Sequence, residues 1–151
     1  QVIALKKGGA TYVLNSSSAT FKEDLAGLSR KLDATLILDA VTGSQSALLL
    51  DAAPRGSTLL AYARLSGEPI SADPAALIRE EKEIRGFQLG NWLQSKGLLF
   101  KLRFLNSVKK LLTTDLSSHI SRTYSLEHAE EAINQYKAHM SDGKILLKIG
   151  S

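Results

Sequence analysis

The sequence predicts an α/β protein in which helices cover a parallel sheet. Apolar runs of strand length alternate with longer amphipathic segments along the chain, and this alternation is typical of such sheets. The chain has 151 residues, of which 44% are hydrophobic and 23% are charged, as in an ordinary globular protein. We therefore expect one domain, or one large piece of a domain, with an apolar core.

The first third of the chain alternates helices and strands. Residues 1–9 form an amphipathic run typical of a helix. Residues 12–15 (YVLN) predict a short strand, and three serines suited to helix capping separate it from a helix over 21–32. The nearly all-apolar run 34–41 predicts a strand buried on both faces, followed by a helix over 45–53.

The middle of the chain continues this alternation. Residues 57–64 (STLLAYAR) predict a third buried strand, a helical turn is expected at 75–79, and residues 83–89 predict a fourth strand. We expect a parallel core of four strands. The apolar side chains expected to be buried in it are Leu36, Ile37, Leu38, Leu59, Leu60 and Ile84.

The last third is different in character. Residues 92–112 predict one long helix, 118–123 an extended segment, 126–140 another helix and 144–149 a closing strand. The chain shows no internal repeat and no coiled-coil heptads. This region therefore does not simply continue the strand and helix alternation.

Charge and composition exclude several classes of function. The net charge of +4 arises mostly within 96–110, where Lys101, Arg103, Lys109 and Lys110 alternate with apolar residues as on the solvated face of a helix. Because no nucleic-acid-binding motif accompanies them, we expect no nucleic-acid partner. No apolar run reaches the length of about 18 residues that a membrane helix needs, so no membrane partner is expected either.

Cysteine is absent from the chain. A disulfide framework, a thiolate zinc site and a cysteine nucleophile are therefore excluded. The compartment stays open on this ground; a cytoplasmic location is the default expectation, and a mitochondrial one is an alternative.

The sequence shows no recognisable catalytic or metal-binding constellation. His119, His128 and His139 lack carboxylates or thiols at ligand spacing, so we expect no metal site. Asp39 ends a strand and is a candidate acid or base, but an aspartate there more often fixes a turn through backbone amides. The catalytic residues are therefore unknown from the sequence.

The carboxyl ends of the predicted strands are the places to expect a ligand. In parallel sheets, ligands bind beyond these ends, where backbone amides and helix N-termini point outward. The loops concerned are 15–17, 39–44, 62–67 and 87–90. Gly43 and Gly67 permit close approach of the backbone to a ligand in two of them.

Five motifs occur in order along the chain: ATYVLN, LILDAVTG, GSTLLAYARLSGEPIS, GFQLGNWL and MSDGKILLKI. This ordered set resembles the medium-chain dehydrogenase/reductase superfamily, in its zinc-independent branch of quinone oxidoreductases and enoyl reductases. The resemblance implies part of a Rossmann-type, doubly wound parallel sheet, starting in the helix before its third strand. It also implies that the first strand, the glycine-rich phosphate turn and the second strand precede the motifs found here.

The family reduces an activated C=C or C=O bond of a small molecule by hydride transfer, so the resemblance implies NADPH or NADH as cofactor for the whole protein. It places cofactor contacts in the loops after the fourth, fifth and sixth Rossmann strands and at a lysine near the C-terminus. The residues at these positions are Asp39, Ala40, Val41, Thr42, Gly43, Tyr62, Ala63, Leu65, Phe87, Gln88, Leu89 and Lys144. Many relatives have glycine where this chain has Thr42 and Ala63, so its backbone is stiffer there.

The resemblance also divides the chain. Residues 1–123 are expected to form the partial cofactor domain, and 124–151 to pack on a catalytic domain outside this sequence. The strand at 144–149 is then expected to lack partners, and to be mobile, irregularly docked or paired with another chain. We expect the isolated chain to be inactive and to bind NADPH weakly or not at all.

One other function stays open at this point, and a further one is excluded. In members of the family, the edge of the sixth strand pairs with the same edge of a second subunit, so residues 84–89 predict a homodimer. The alternative function of this chain is therefore subunit association. A flavodoxin-like or methyltransferase-like domain requires a glycine-rich cofactor turn, which the sequence does not contain.

Overall fold

The computed structural model describes residues 2–114, 116, 118–139 and 142–149. The chain forms two compact units, Gln1–Gln94 and Ser95–Ser151, and each is described by itself. Both units contain helices and parallel strands, so the predicted α/β class is confirmed.

The first unit contains three strands and five helices among its described residues. In chain order they are α1 (Val2–Lys7), α2 (Phe21–Lys31), β1 (Leu36–Asp39), α3 (Ser44–Ala52), β2 (Thr58–Ala61), α4 (Pro74–Arg79), β3 (Glu83–Gly86) and α5 (Leu89–Gln94). The strands are parallel in the order β1-β2-β3. Their register pairs Asp39 with Ala61 and Ala61 with Gly86, so all three strands end at the same level.

The core of this unit lies between the sheet and helix α3. Leu59 on the central strand and Leu50 on α3 are both fully buried, at 0% exposure. The expectation for Leu59 is confirmed, while Ile37, Leu60 and Ile84 are half-buried. Burial beneath α3 is therefore complete only at the central strand.

The expectation that Leu36 and Leu38 are buried is wrong. They are 62% and 63% exposed, although Asp39 on the same strand is buried. Neighbouring side chains of a strand point to opposite faces, so β1 presents these leucines on a face that the described residues leave uncovered. A strand made almost entirely of apolar residues predicts that both faces of the sheet are covered. Here no described element covers the face that carries Leu36 and Leu38.

The strand predicted at 12–15 does not form, so the sheet has three strands and not four. A strand needs a neighbour to satisfy its backbone groups. In the doubly wound order 3-2-1-4-5-6, the third strand pairs with the second and the fourth with the first. With β1, β2 and β3 as the fourth to sixth strands, residues 12–15 have no adjacent strand in the described sheet.

Several predicted element boundaries also need correction. The strands predicted at 34–41 and 57–64 are shorter, Leu36–Asp39 and Thr58–Ala61. The strand predicted at 83–89 ends at Gly86, because the chain turns at Phe87 and Gln88 into α5. The single helix predicted at 92–112 is two helices. The break comes before Leu98, where Gly97 has an extended backbone and precedes the second helix as its N-cap.

A buried lysine, paired with a partly exposed glutamate, links elements at the amino ends of the strands. The Lys82 side chain is fully buried, its Nζ lies 2.6 Å from Glu80 Oε2, and it donates to the Asp51 carbonyl near the end of α3 at 3.4 Å. The hydrogen bond and positive charge of Lys82 hold the pKa of the Glu80 carboxyl below its ordinary value. This pair therefore connects residues 80–82, which precede β3, with α3. The connection lies at the end of the sheet opposite to the predicted ligand loops.

The second unit is smaller. Its described elements are α6 (Leu98–Leu112), β4 (Ile120–Ser125), a 3-10 turn (Leu126–His128), α7 (Ala129–Ala138) and β5 (Lys144–Lys148). The helix predicted over 126–140 thus begins as a 3-10 turn, and its last predicted residue, Met140, lies outside the described residues.

The expectation that the closing strand has no partner is wrong. β5 pairs in parallel with β4, with a register irregularity between Ile120 and Arg122, and α7 forms the crossover between them. The segment expected to be extended at 118–123 supplies this partner. β4 runs across the boundary predicted between 123 and 124, and the assignment of 124–151 to another domain stays a prediction.

Candidate functional site

The three strand ends bring the predicted ligand loops of the first unit to one edge of the sheet. Beyond the strands the parallel ladder continues, since Tyr62 N donates to Asp39 O at 3.0 Å and Phe87 N donates to Ala61 O at 2.8 Å. The predicted residues after β1, β2 and β3 are therefore neighbours in space. This is the arrangement expected of a ligand site at the carboxyl ends of parallel strands.

Asp39 fixes the turn after β1. Its buried carboxylate accepts hydrogen bonds from Val41 N and Thr42 N, both at 2.9 Å to Oδ1, and from Ser46 Oγ at 2.5 Å to Oδ2. Burial raises the pKa of Asp39, but the hydrogen bonds from Ser46, Thr42 and Val41 outweigh it and leave the pKa below its ordinary value. All three donors belong to the turn or to α3, so this carboxylate positions the backbone.

Thr42 and Gly43 continue this turn in an unusual conformation. Thr42 has φ of +65° and Gly43 has φ of +76°, and both are buried. A left-handed backbone costs a β-branched residue about 1–3 kcal/mol, which the Asp39 hydrogen bonds offset. The family resemblance implies a glycine at position 42 in many relatives. Thr42 thus adopts a backbone conformation that glycine adopts more easily.

The loop 64–68, here named the covering loop, lies on the turn. Leu65 N donates to Ala40 O at 3.1 Å and Ser66 N donates to Val41 O at 2.9 Å. Thr42 Oγ1 lies 3.2 Å from both Ser66 Oγ and the Glu68 carbonyl oxygen. The backbone of the first predicted contact region is therefore partly closed to solvent.

The tip of β2 is open by comparison. Tyr62, Ala63 and Leu65 are all exposed, and Leu65, near the start of the covering loop, is 76% exposed. An exposed leucine and tyrosine at a strand end provide apolar surface to a ligand at this edge.

A pocket of about 460 Å³ lies at the end of β3. Its lining residues are Ala61, Gly86, Phe87, Gln88, Asn91 and Trp92. The rings of Phe87 and Trp92 are 6.2 Å apart and tilted by 56°, and Gln88 Oε1 accepts from Asn91 N at 2.5 Å. Leu89, also predicted as a contact, begins α5 and is exposed.

Sequence reasoning missed four of these lining residues, Ala61, Gly86, Asn91 and Trp92. The signal that could have pointed to the place is Gly86, a glycine within a strand. Its register partner is Ala61, so the two smallest side chains of β2 and β3 stand side by side at the strand ends. A β-carbon added to Gly86 would meet no atom within 4 Å, which leaves open space at the pocket.

The remaining predicted contact, Lys144, belongs to the second unit. It begins β5, and its Nζ donates to Ser118 Oγ at 2.8 Å. The same unit has a mostly apolar pocket of about 550 Å³ between α7 and β5. The residues that line it are Ala132, Ile133, Tyr136, Lys137, Lys144, Ile145, Leu146 and Leu147.

The histidines show no metal-binding geometry. His128 Nδ1 is 2.8 Å from Ser125 Oγ, and His139 Nδ1 is 3.7 Å from Asp142 Oδ2. Within the described ranges, no group of three or more His, Cys, Asp or Glu side chains is arranged to hold a metal ion. Over the same residues, no helix is both long and apolar enough to cross a membrane.

No protein-family model and no curated protein sequence matches the chain. Solved structures do match it over nearly its whole length. An NADPH:quinone reductase described from Mesorhizobium loti has 26% identity and a TM-score of 0.77, with 100% of this chain and 43% of that protein covered. The mitochondrial 2-enoyl thioester reductase Etr1p/Etr2p heterodimer of Candida tropicalis has 23% identity and a TM-score of 0.71, with 97% and 43% covered.

An Etr1p mutant solved in complex with NADP and crotonyl-CoA matches as well, with 21% identity, a TM-score of 0.72, and 91% of this chain and 41% of that protein covered. The chain thus spans less than half the length of the solved structures it resembles. The resemblance predicted from the motifs, to part of the Rossmann-type domain of medium-chain dehydrogenases/reductases, is confirmed.

Proposed function

We propose that this chain carries the nicotinamide-facing part of the cofactor site of an NAD(P)H-dependent oxidoreductase. The whole protein would transfer a hydride to an activated C=C or C=O bond of a small-molecule substrate. The cofactor itself carries the hydride, so the task of these residues is to place the nicotinamide ring. NADPH and NADH are both compatible with the residues present.

The observation that carries this proposal is the meeting of three strand ends beside an open pocket. Ala61 and Gly86 keep side chains out of the space next to β3, and Phe87 and Trp92 supply aromatic surface there. A flat ring with a polar carboxamide fits such a pocket, which has backbone on one side and the Gln88 and Asn91 amides at its edge. The match to an NADPH:quinone reductase supports this reading of the pocket.

The isolated chain is not expected to be a catalyst. Asp39, the carboxylate at the end of β1, is committed to the turn that follows by three hydrogen bonds. The pyrophosphate of a dinucleotide is held in this fold by a glycine-rich turn and a helix N-terminus, and the sequence contains no such turn. The residues present therefore orient a nicotinamide with little affinity.

The test is an NMR titration of the chain with reduced nicotinamide mononucleotide and, separately, with adenosine monophosphate. We expect the nicotinamide compound to bind with a millimolar dissociation constant and to shift the amide signals of Tyr62, Phe87 and Gln88, with no such shifts from the adenine compound. The variant Gly86→Leu fills open space without backbone strain and should abolish the shifts. Gly27→Leu, at another glycine with no atom near an added β-carbon, is the matched control.

Two results would count against the proposal. Equal shifts from both compounds would show that the loops do not recognise nicotinamide. Micromolar binding of NADPH at unit stoichiometry, measured by calorimetry, would contradict the expected absence of the phosphate anchor.

One observation favours the alternative of an association module. Strand β3 is an edge strand, since among the described strands it pairs with β2 alone. Its exposed residues Glu83 and Arg85 carry opposite charges and form an ion pair with each other. In an antiparallel pairing of two copies through β3, each Arg85 would face a Glu83.

Light scattering tests this pairing. We expect twice the monomer mass if the β3 edges of two copies pair, and we expect Arg85→Glu to shift the protein to the monomer. A monomer at all concentrations would rule the pairing out.

A further inference from the structure

The covering loop places a carboxylate directly against the glycine of the turn after β1. A β-carbon added to Gly43 would come within 2.8 Å of Glu68 Oε2 and 3.2 Å of Glu68 Cβ, so this side chain lies on the Gly43 backbone. Among the described residues, none donates a hydrogen bond to the Glu68 carboxylate or forms an ion pair with it. Glu68 is exposed. The carboxylate is therefore available to a ligand beside the Gly43 backbone.

The backbone that carries Glu68 is held by several hydrogen bonds. Gly67 N donates to Arg64 O at 3.2 Å, and Gly67 has φ of +73°. Glu68 N donates to Ser66 Oγ at 3.1 Å. The Arg64 guanidinium donates to the carbonyl oxygens of both Gly67 and Glu68, and Thr42 Oγ1 also lies beside the Glu68 carbonyl. Because these hydrogen bonds already restrain the loop, it loses little conformational entropy when a ligand binds, which favours binding.

The place of Glu68 between two contact regions indicates which part of a cofactor it would meet. The proposed function rests on the family resemblance, which implies that the turn 39–43 would run along the middle of the cofactor and that the tip of β2 would lie beside the nicotinamide. Glu68 contacts the first region through Gly43 and follows the second along the covering loop. The part of a dinucleotide between its pyrophosphate and its nicotinamide is the nicotinamide ribose.

A ribose presents two neighbouring hydroxyl groups, and an ionised carboxylate has two oxygens that only accept hydrogen bonds. Such charge-assisted hydrogen bonds are among the stronger ones in proteins. We propose that Glu68 binds the vicinal diol of the nicotinamide ribose and so discriminates ribosides from their deoxy analogues. This inference rests on the proposed function and adds a residue that determines specificity.

Glu68 has an alternative, purely structural role. Gly43 is the N-cap of α3, and a negative charge near a helix N-terminus stabilises the helix. That role predicts a change in stability on mutation and no change in the choice between ligands. A test therefore has to measure ligand discrimination and stability separately.

The test uses reduced nicotinamide riboside and its 2′,3′-dideoxy analogue, neither of which has a phosphate that the carboxylate would repel. Each is titrated into the 151-residue chain and followed by the amide signals of Gly43 and Tyr62. We expect the riboside to bind at least about tenfold more tightly than the dideoxy analogue, as for hydrogen bonds to a charged group. Glu68→Ala should bring this ratio close to one by weakening the riboside alone, and Glu68→Gln should retain part of it.

The matched control is Glu23→Ala, which removes an exposed carboxylate from the first turn of another helix and should leave the ratio unchanged. If Glu68→Ala lowers the melting temperature and keeps the ratio, Glu68 only caps α3 and this inference is wrong. If the wild-type chain binds neither compound, the proposed function fails and this inference fails with it. Binding of both compounds with equal affinity by the wild-type chain would overturn the role of Glu68 alone.

Discussion

Both units contain parallel strands, but they bury them to very different extents. In the first unit, the central strand β2 has a neighbour on each side, and Leu59 packs at 0% exposure near the equally buried Leu50 of α3. In the second unit, β4 and β5 have only each other among the described strands, and Leu146 and Leu147 are 48% and 41% exposed. Parallel strands are normally covered on both faces. Pairing alone therefore does not give the second unit a core like that of the first.

The largest expected difference between the units is the effect of removing one leucine. Leu59→Ala should lower the free energy of unfolding by about 3 kcal/mol, because it leaves a cavity in a filled core. Leu147→Ala should lower it by less than about 1 kcal/mol, because its side chain is already partly in water. Urea unfolding of both variants measures the effects, and equal losses would show that the two units are buried alike in solution.

The second-largest expected effect on stability is that of removing the negative charge at Asp39. Asp39→Asn should lower the free energy of unfolding at pH 7 by about 2 kcal/mol, because the turn loses charge-assisted hydrogen bonds to a buried group. Asp24→Asn is the control, since Asp24 is exposed and accepts a single side-chain hydrogen bond from Thr20. A loss no larger than in this control would mean that the turn does not depend on the carboxylate.

The same variant has a defined pH dependence. The folded pKa of Asp39 is below the ordinary value of about 3.9, so its contribution is complete above that pH and is lost as the pH falls through the lower folded value. The difference in melting temperature between wild type and Asp39→Asn should therefore shrink below about pH 4. Glu80→Gln should show a similar trend, because the pKa of Glu80 is also lowered. A difference that grows toward low pH would contradict the assignment for Asp39.

Amide exchange gives a smaller and more local comparison. The amides of Leu59 and Leu60 should exchange at least about tenfold more slowly than those of Ile145 to Leu147, because strands with little apolar burial open more readily. Exchange measured on the whole chain by NMR provides both values at once. Equal protection would indicate that the β4 and β5 pair is covered by something other than the described residues.

The smallest effect is expected at Lys144. Its ammonium group is exposed and donates to the exposed Ser118 hydroxyl, so Lys144→Ala should change the free energy of unfolding by less than about 0.5 kcal/mol. The cofactor contact implied by the family resemblance is a separate prediction, tested by the cofactor affinity of the whole protein. A large loss of stability would instead assign Lys144 a structural role in β5.

Most of the first unit follows from local sequence patterns. The strands β1, β2 and β3 lie within the predicted runs, and helices α2 and α3 agree with prediction within one residue at each end. The errors concern neighbours along the sheet. Residues 12–15 have a strand-like composition, yet a strand forms only beside another one, and the exposure of Leu36 and Leu38 depends on what covers them. Neither property is encoded in the segment itself.

In the candidate site, too, some features follow from local sequence and others depend on the tertiary fold. The loops after the strands were predictable, because parallel strands place their carboxyl ends together whatever the side chains are. The pocket side chains Asn91 and Trp92 were missed, since they depend on the chain turning into α5 directly after β3. The contact of Glu68 with Gly43 depends on a loop folding back across 25 residues of sequence, which no local pattern reveals.

The ion pair of the buried Lys82 with Glu80 has a practical consequence for protein engineering. It secures β3 and α3 at the amino ends of the strands, whereas the pocket and the covering loop lie at the carboxyl ends. Randomised libraries aimed at new ligands can therefore vary Tyr62, Leu65, Glu68 and Asn91 while keeping the opposite end of the sheet constant. Variants from such a library would share one anchored scaffold, so differences in their binding would report on the loops and not on losses of folding.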